Sequence, residues 1–182
     1  MIENLTVIGC GSVGSWLAYL AVKAGVKEIF LYDDDIVEEK NLIRSSYTKH
    51  SVGKPKVEAL AEILRALSEK VKIFPFKERV SNVENCNGSL FIDCRDSEIP
   101  LRNSEKLFPL KVGYDGDELS IIAGNPKIWG EPAIVDYNRN PNPITPVIAA
   151  TILLHAINKY KFDNNIDNLH RNITVDEIIK LW

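Results

Sequence analysis

Residues 5–14 read LTVIGCGSVG, and this stretch decides the fold. Its first four residues form a short β-branched run that glycine ends, which predicts a short buried strand. Apolar residues then recur at helical spacing until Gly25, a typical helix stop. Residues 28–32, EIFLY, are predicted to form the second strand. Strand, helix and strand together form a βαβ unit of about 30 residues.

The glycines of this unit match the G-x-G-x-x-G pattern of nucleotide-binding turns. Gly9 permits the tight turn, Gly11 lets the backbone approach a pyrophosphate, and Gly14 allows close helix–strand packing. From Ser12 onward, the first N–H groups of the helix point at the bound phosphate. Asp33 ends the second strand 19 residues after Gly14, where a carboxylate accepts from a ribose hydroxyl. The sequence therefore predicts a nucleotide site at this turn.

Strand and helix patterns continue to alternate along the chain, which favours an α/β fold with a doubly wound, mostly parallel sheet and a Rossmann-like βαβ unit. A short, partly antiparallel part is expected toward the C-terminus. The predicted elements after residue 32 are a helix at 57–67, strands at 71–76 and 90–92, a weaker helix from Pro100 to Leu107, strands at 111–114 and 119–123, a helix at 147–160 and a short helix with a capping box at Thr174. We predict a single domain over 1–182, divided into a nucleotide-binding core (1–109) and C-terminal strands and helices (110–182).

Composition excludes several classes of protein. The 182 residues carry a net charge of −3, which argues against a nucleic-acid or anionic-membrane partner. The first residues lack the basic segment of a signal peptide, and the most apolar stretch, 147–154, is too short to span a bilayer. Three cysteines without C-x-x-C spacing argue against disulfides and structural zinc, so we expect a cytoplasmic protein.

A second group of motifs follows the glycine turn. Residues 33–44 read DDDIVEEKNLIR, residues 52–56 read VGKPK, and residues 91–96 read FIDCRD. In this order, and over about residues 5–103, the chain resembles the ThiF/MoeB/HesA family, whose relatives include the adenylation domains of ubiquitin-activating enzymes. That family reads as a Gly-rich turn, D-x-D-x-V, N-L-x-R, V-G-x-x-K and a strand ending near an aspartate.

The resemblance implies an ATP-dependent adenylyltransferase with Mg²⁺ as cofactor. Its substrate would be the C-terminal glycine carboxylate of a small ubiquitin-like or sulfur-carrier protein, with release of pyrophosphate, and the enzyme would be a homodimer. The resemblance assigns Asp33 to the ribose, Asn41, Arg44 and Lys56 to the triphosphate, and Asp96 to the metal. Such catalysis depends mainly on positioning and on electrostatic stabilisation of the phosphates.

The chain departs from the family pattern in several places. Family members usually carry an N-terminal helix whose arginine reaches the partner subunit's ATP, whereas this sequence begins at its first strand, as short forms of ThiF do. The family's T-D-N is Arg95-Asp96-Ser97 here. Arg95 could pair with Asp96 and weaken metal binding, or it could replace the missing arginine.

The cysteines also differ from those of many relatives. The zinc-binding pair and the later catalytic cysteine are absent, and residues 126–132 hold no cysteine. Structural zinc and thioester transfer within this chain are therefore not expected. Cys10 and Cys94 are interpreted as packing residues, which leaves Cys86 as the candidate reactive thiol.

Three other functions stay open at this point. A catalytically reduced ThiF-like module would keep the nucleotide pocket without turnover. An NAD-binding oxidoreductase would also use Asp33 on a ribose. A relative that modifies tRNA by adenylating a nucleoside carboxylate is the third alternative.

Overall fold

The computed structural model of the chain describes residues 2–97, 99–123, 142–160 and 169–179. Its main sheet has four parallel strands, in the order β3-β2-β1-β4. The strands are β1 (Asn4–Ile8), β2 (Glu28–Tyr32), β3 (Lys72–Phe76) and β4 (Phe91–Asp93). Two helices connect the first three strands: α1 (Ser12–Lys23) and α2 (Lys56–Leu67).

The strand order reverses at β1, because β2 and β3 lie on one side of it and β4 on the other. Thr6 in β1 pairs with Phe30 in β2 and with Phe91 in β4. Open α/β sheets bind ligands at such a switch point, beyond the carboxyl ends of the strands. The loops that follow β1 and β4 therefore form the expected crevice.

Alternation along β1 sends its side chains into two separate cores. Leu5 and Val7 are fully buried in the larger core, which they share with the apolar faces of α1 and α2. Ile8 points to the opposite face and packs with Val83 and Leu107. One face of the sheet is thus covered by helices, and the other by the segments that precede and follow β4.

The helix predicted from Pro100 to Leu107 is wrong: the structure has a single 3₁₀ turn there, Ser104–Lys106. The backbone of this segment is engaged elsewhere, since Val83 N donates to Arg102 O and Arg102 N donates to Ser81 O. Asn103 adopts the left-handed region with φ of 54°, which ends any helical path.

A second, three-stranded sheet follows, and it is antiparallel, with the order β5-β6-β7. Its elements are β5 (Leu110–Asp115), β6 (Glu118–Ala123), β7 (Leu169–Thr174) and the helices α3 (Thr145–Tyr160) and α4 (Val175–Ile179). Helix α3 packs against α1 and β5. The predicted α/β class, with a mostly parallel sheet and an antiparallel C-terminal part, is confirmed.

The capping box predicted at Thr174 is present. The backbone N–H of Thr174 donates to a carboxylate oxygen of Glu177 at 2.7 Å, and Glu177 N donates to the Thr174 hydroxyl at 3.2 Å.

Residues 126–132, where no zinc cysteine was expected, lie outside the described residues. The single-domain assignment of 1–182 stays a prediction. None of the helices described is long and apolar enough to cross a membrane.

The glycine turn is held by close backbone packing. Gly9 has φ of +92°, a conformation that L side chains rarely adopt. A Cβ on Gly14 would overlap the carbonyl oxygen of Gly9 and press on the Cβ of Cys94. The third glycine of the motif therefore fixes the distance between α1 and the turn, as its sequence position indicates.

Gly14→Ala is expected to lower the free energy of unfolding by about 2 kcal/mol, because overpacking outweighs the better helix propensity of alanine. Urea denaturation measures the change. Gly113→Ala in β5 is the matched control, because a Cβ there meets no atom within 4 Å. Equal stability of the two variants would contradict this account of the turn.

Candidate functional site

A cavity of about 620 Å³ lies at the carboxyl ends of β1, β2 and β4, with β5 on its far side. Eight of the predicted site residues line it: Gly9, Gly11, Ser12, Asp33, Asn41, Arg44, Lys56 and Asp96. Gly14 does not line the cavity and packs behind the turn. Groups that are up to 87 residues apart in the sequence thus meet around one space.

The N-terminus of α1 borders this cavity. Gly11 is the last residue before the helix, and a Cβ built on it meets no atom within 4 Å. Open space therefore adjoins the backbone where the first N–H groups of the helix emerge. An anion placed there would meet unpaired N–H donors and the positive end of the helix dipole.

Asp33 fastens this turn to the rest of the site. One carboxylate oxygen accepts from Cys10 N at 2.7 Å, and the other accepts from Asp35 N at 2.9 Å. Lys56 Nζ lies 3.8 Å from Asp33 and 2.6 Å from Asp35. Burial raises the pKa of Asp33, and the Lys56 ammonium opposes that rise. Asp33 thus shapes the turn itself, while its assignment to a ribose stays a prediction.

Tyr47 is a supporting residue that the sequence did not reveal, and it does not line the cavity. Its hydroxyl donates to Cys10 O at 2.6 Å and lies 3.3 Å from Lys56 O. The ring is 5% exposed, and burial raises the pKa of the phenol well above its usual value. The phenol therefore links the glycine turn to the start of α2.

The segment that carries Arg44 is attached to α1 by two further hydrogen bonds. Trp16 Nε1 donates to Arg44 O at 3.2 Å, and Ser15 Oγ accepts from Ser46 N at 3.1 Å. Trp16 also makes an edge-to-face contact with Tyr19.

Asn41 belongs to a short 3₁₀ turn at the cavity rim, Glu39–Asn41. Its side-chain oxygen accepts from Glu38 N at 2.9 Å, and its backbone oxygen accepts from Ser45 Oγ at 2.6 Å. The amide is thereby oriented before any ligand binds.

The sequence left two alternatives open for Arg95, and the first of them was a pair with Asp96. The structure does not show that pair. Arg95 Nε and Nη2 donate to the two oxygens of Asp93 at 2.9 and 3.0 Å. Asp93 is 3% exposed and ends β4, so the nearer carboxylate captures the guanidinium as a bidentate pair. Among the described residues Asp96 has no hydrogen bond or ion pair, and it is exposed on the cavity wall.

The three thiols are all protonated at neutral pH. Burial raises the pKa of Cys86 to about 11, with a smaller contribution from Glu78. Burial also raises the pKa of Cys10 and of Cys94, and the Asp33 and Asp93 carboxylates add to these respective shifts. This agrees with the prediction that Cys10 and Cys94 are packing residues, and it gives Cys86 no thiolate for nucleophilic attack.

Comparison with known proteins identifies the family. The model of the ThiF family matches residues 3–102, more than half of the chain. The chain belongs to the ThiF family. The match contains β1–β4 and all the cavity residues predicted from the sequence.

Curated relatives of this ThiF-family chain include two enzymes. Ubiquitin-like modifier-activating enzyme 5 of Culex quinquefasciatus is 36% identical over 83 residues, which are 46% of this chain and 21% of the relative. The adenylyltransferase and sulfurtransferase UBA4 of Yarrowia lipolytica is 27% identical over 150 residues, 76% of this chain and 35% of the relative. The chain thus spans about a fifth to a third of the length of these relatives.

Among solved structures, E. coli MccB with ATP has a TM-score of 0.73 at 17% identity, covering 96% of this chain and 61% of MccB. At that identity the likeness shows the fold alone. The likeness in fold covers 96% of the chain, whereas the family model matches residues 3–102.

Lys56→Gln is expected to raise the pKa of Asp33 further, because the ammonium is the largest influence that opposes the effect of burial. A carboxyl-carbon NMR titration measures it. The raised pKa means that the folded state holds this proton more tightly than the unfolded state does. The free energy of unfolding therefore falls as the pH rises through the folded pKa, and more so in the variant.

Lys54→Gln is the control for this experiment, since Lys54 is exposed and pairs with Glu62. It is expected to leave the pKa of Asp33 unchanged. An unchanged pKa in Lys56→Gln would show that Lys56 does not act on this carboxylate.

Proposed function

We propose that the chain is an ATP-dependent adenylyltransferase that activates the C-terminal carboxylate of a small ubiquitin-like or sulfur-carrier protein and releases pyrophosphate. The carboxylate attacks the α-phosphorus of ATP, and the bond from that phosphorus to the pyrophosphate oxygen breaks. The products are the acyl-adenylate and pyrophosphate.

One observation carries this proposal: Arg44, Lys56 and Asp96 border the same cavity as the glycine turn. Binding of a nucleotide alone would need the turn and little else. Two cations and a carboxylate grouped beside it match the needs of a phosphate that gains charge during displacement.

The roles of the side chains follow from their chemistry. The N–H groups at the start of α1 would hold a phosphate oxygen. Arg44 would present its planar fork to phosphate oxygens, and Lys56 would act as a point charge. Asn41 would donate its amide to the triphosphate. Asp33, already held by the Cys10 N–H, would accept from the ribose.

Asp96 fits the requirements of the Mg²⁺ that this reaction uses. It is an exposed carboxylate on the cavity wall and engages no protein partner among the described residues. When bound, Mg²⁺ neutralises charge on the phosphate oxygens, and it usually binds through one or two carboxylates plus phosphates. The residues present therefore suit the ion.

The aspartates after β2 are a weaker choice for this metal. Asp33, Asp34 and Asp35 offer oxygens within 4.8 Å of one another. Two of them are already engaged, since Asp33 accepts from Cys10 N and Asp35 pairs with Lys56. Using them would require those contacts to break.

The names of the relatives support the proposed substrate class. One is a ubiquitin-like modifier-activating enzyme, and another is an adenylyltransferase and sulfurtransferase.

The proposal includes a homodimer, for which Ile144 before α3, which is 57% exposed, is a candidate contact. Sedimentation velocity that shows a concentration-independent monomer would contradict the dimer.

ATP–pyrophosphate exchange tests the activity. With a carrier protein that ends in Gly-Gly, exchange is expected for the wild type, and Asp96→Asn is expected to reduce it at least about 100-fold by removing a metal ligand. The affinity for ATP without Mg²⁺ should stay within about threefold of the wild type, measured by calorimetry.

Asp176→Asn, an exposed carboxylate in α4, is the control and should exchange normally. Binding of ATP without exchange for any carrier protein would instead support a nucleotide-binding module. Tighter binding of NAD⁺ than of ATP would reject the adenylyltransferase.

A further inference from the structure

A second cationic group lies on the cavity wall formed by the end of β4 and the start of β5. It consists of Arg95 and Lys111, which share the buried carboxylate of Asp93, and we refer to these three residues as the Asp93 cluster. Neither cation lies beside the glycine turn in sequence. Both line the same cavity as Arg44 and Lys56.

The cluster is buried and carries more positive than negative charge. The side chains of Arg95 and Lys111 are 19% and 10% exposed, and that of Asp93 is 4% exposed. Two cations face one carboxylate, so the cluster has a net charge of +1. Buried charge without a counter-charge is costly, and an anion in the cavity would lower that cost.

Donor capacity remains on the cavity side of Lys111. Within the described residues its ammonium makes one hydrogen bond, to Ser97 O at 3.3 Å, while Asp93 lies 3.7 Å away. An ammonium has three N–H donors, so with one on Ser97 O and one turned toward Asp93, a third remains for a ligand. Arg95 is fixed by its bidentate pair and by a bond from Nη2 to Ile99 O, which preorganises the cluster.

We infer that the Asp93 cluster is a second oxyanion subsite, in which Lys111 and Arg95 hold an anionic oxygen of a ligand on the β4 side of the cavity. The ligand chemistry is a carboxylate or phosphate oxygen. The inference rests on the proposed function, under which this oxygen belongs either to the carboxylate to be adenylated or to the phosphates of ATP.

The two sources differ in what the cluster would achieve. A carboxylate that approaches a triphosphate meets repulsion between like charges, and cations on its own side would reduce that repulsion. Phosphates held by both groups of cations would instead lose rotational freedom. Separate probes distinguish these two outcomes.

Isothermal titration calorimetry on the full chain with ATP, inorganic pyrophosphate and glycylglycine tests the subsite. Lys111→Gln is expected to weaken at least one probe about tenfold, the loss typical of a charge-assisted hydrogen bond. Weaker ATP and pyrophosphate binding identifies the phosphates as the source. Weaker glycylglycine binding alone identifies the carboxylate.

Three further variants sharpen the test. Lys111→Arg keeps the charge and should restore the affected probe to within about threefold of the wild type. Arg95→Gln leaves the cluster neutral and should weaken the same probe, which keeps the test valid if Lys111→Gln does not fold. Lys106→Gln, an exposed cation paired with Glu84, should bind all the probes normally.

Equal affinities of the wild type and both neutralising variants for all three probes would overturn the subsite, as would failure of the wild type to bind any of them. The Lys111→Gln variant could lose probe binding while the wild type shows no ATP–pyrophosphate exchange. That pair of results would keep the subsite and reject the adenylyltransferase. The two proposals therefore fail separately.

Discussion

The carboxylate of Asp33 is the contact on which the site depends. It receives the Cys10 N–H from the glycine turn on one oxygen and the Asp35 N–H on the other, while Lys56 approaches from α2. The glycine turn and the start of α2 are thereby fixed to the end of β2. Burial raises the pKa of this carboxyl and these donors oppose that rise, so turn geometry and site electrostatics cannot be altered independently.

The same arrangement recurs on the other side of β1. Asp93 ends β4, is nearly inaccessible to solvent and orients Arg95 as Asp33 orients its own neighbours. Parallel strands bring their carboxyl ends to one edge, so a strand-end aspartate on each flank of β1 faces the same cavity. Asp93 holds Arg95 directly, whereas Asp33 lies 3.8 Å from Lys56, whose hydrogen bond goes to the exposed Asp35.

The sequence predicted the features that depend on local patterns: the βαβ unit, the glycine turn and the residues that meet at the cavity. Periodicity also placed β5, β6 and α3 to within two residues. It could not reveal Tyr47, whose partner Cys10 is 37 residues away, or Lys111, which occupies an ordinary strand position. The helix expected before Leu107 failed because its backbone bonds to the segment at Ser81–Val83, a tertiary contact that no local propensity encodes.

The raised pKa values of the cysteines have a practical consequence. Maleimides and iodoacetamides react with thiolates, and at neutral pH Cys10, Cys86 and Cys94 are held in the protonated state by burial. A single cysteine introduced at an exposed surface position would be alkylated well before these three. Fluorophores or spin labels can therefore be attached to the native background without first removing its own sulfhydryl groups.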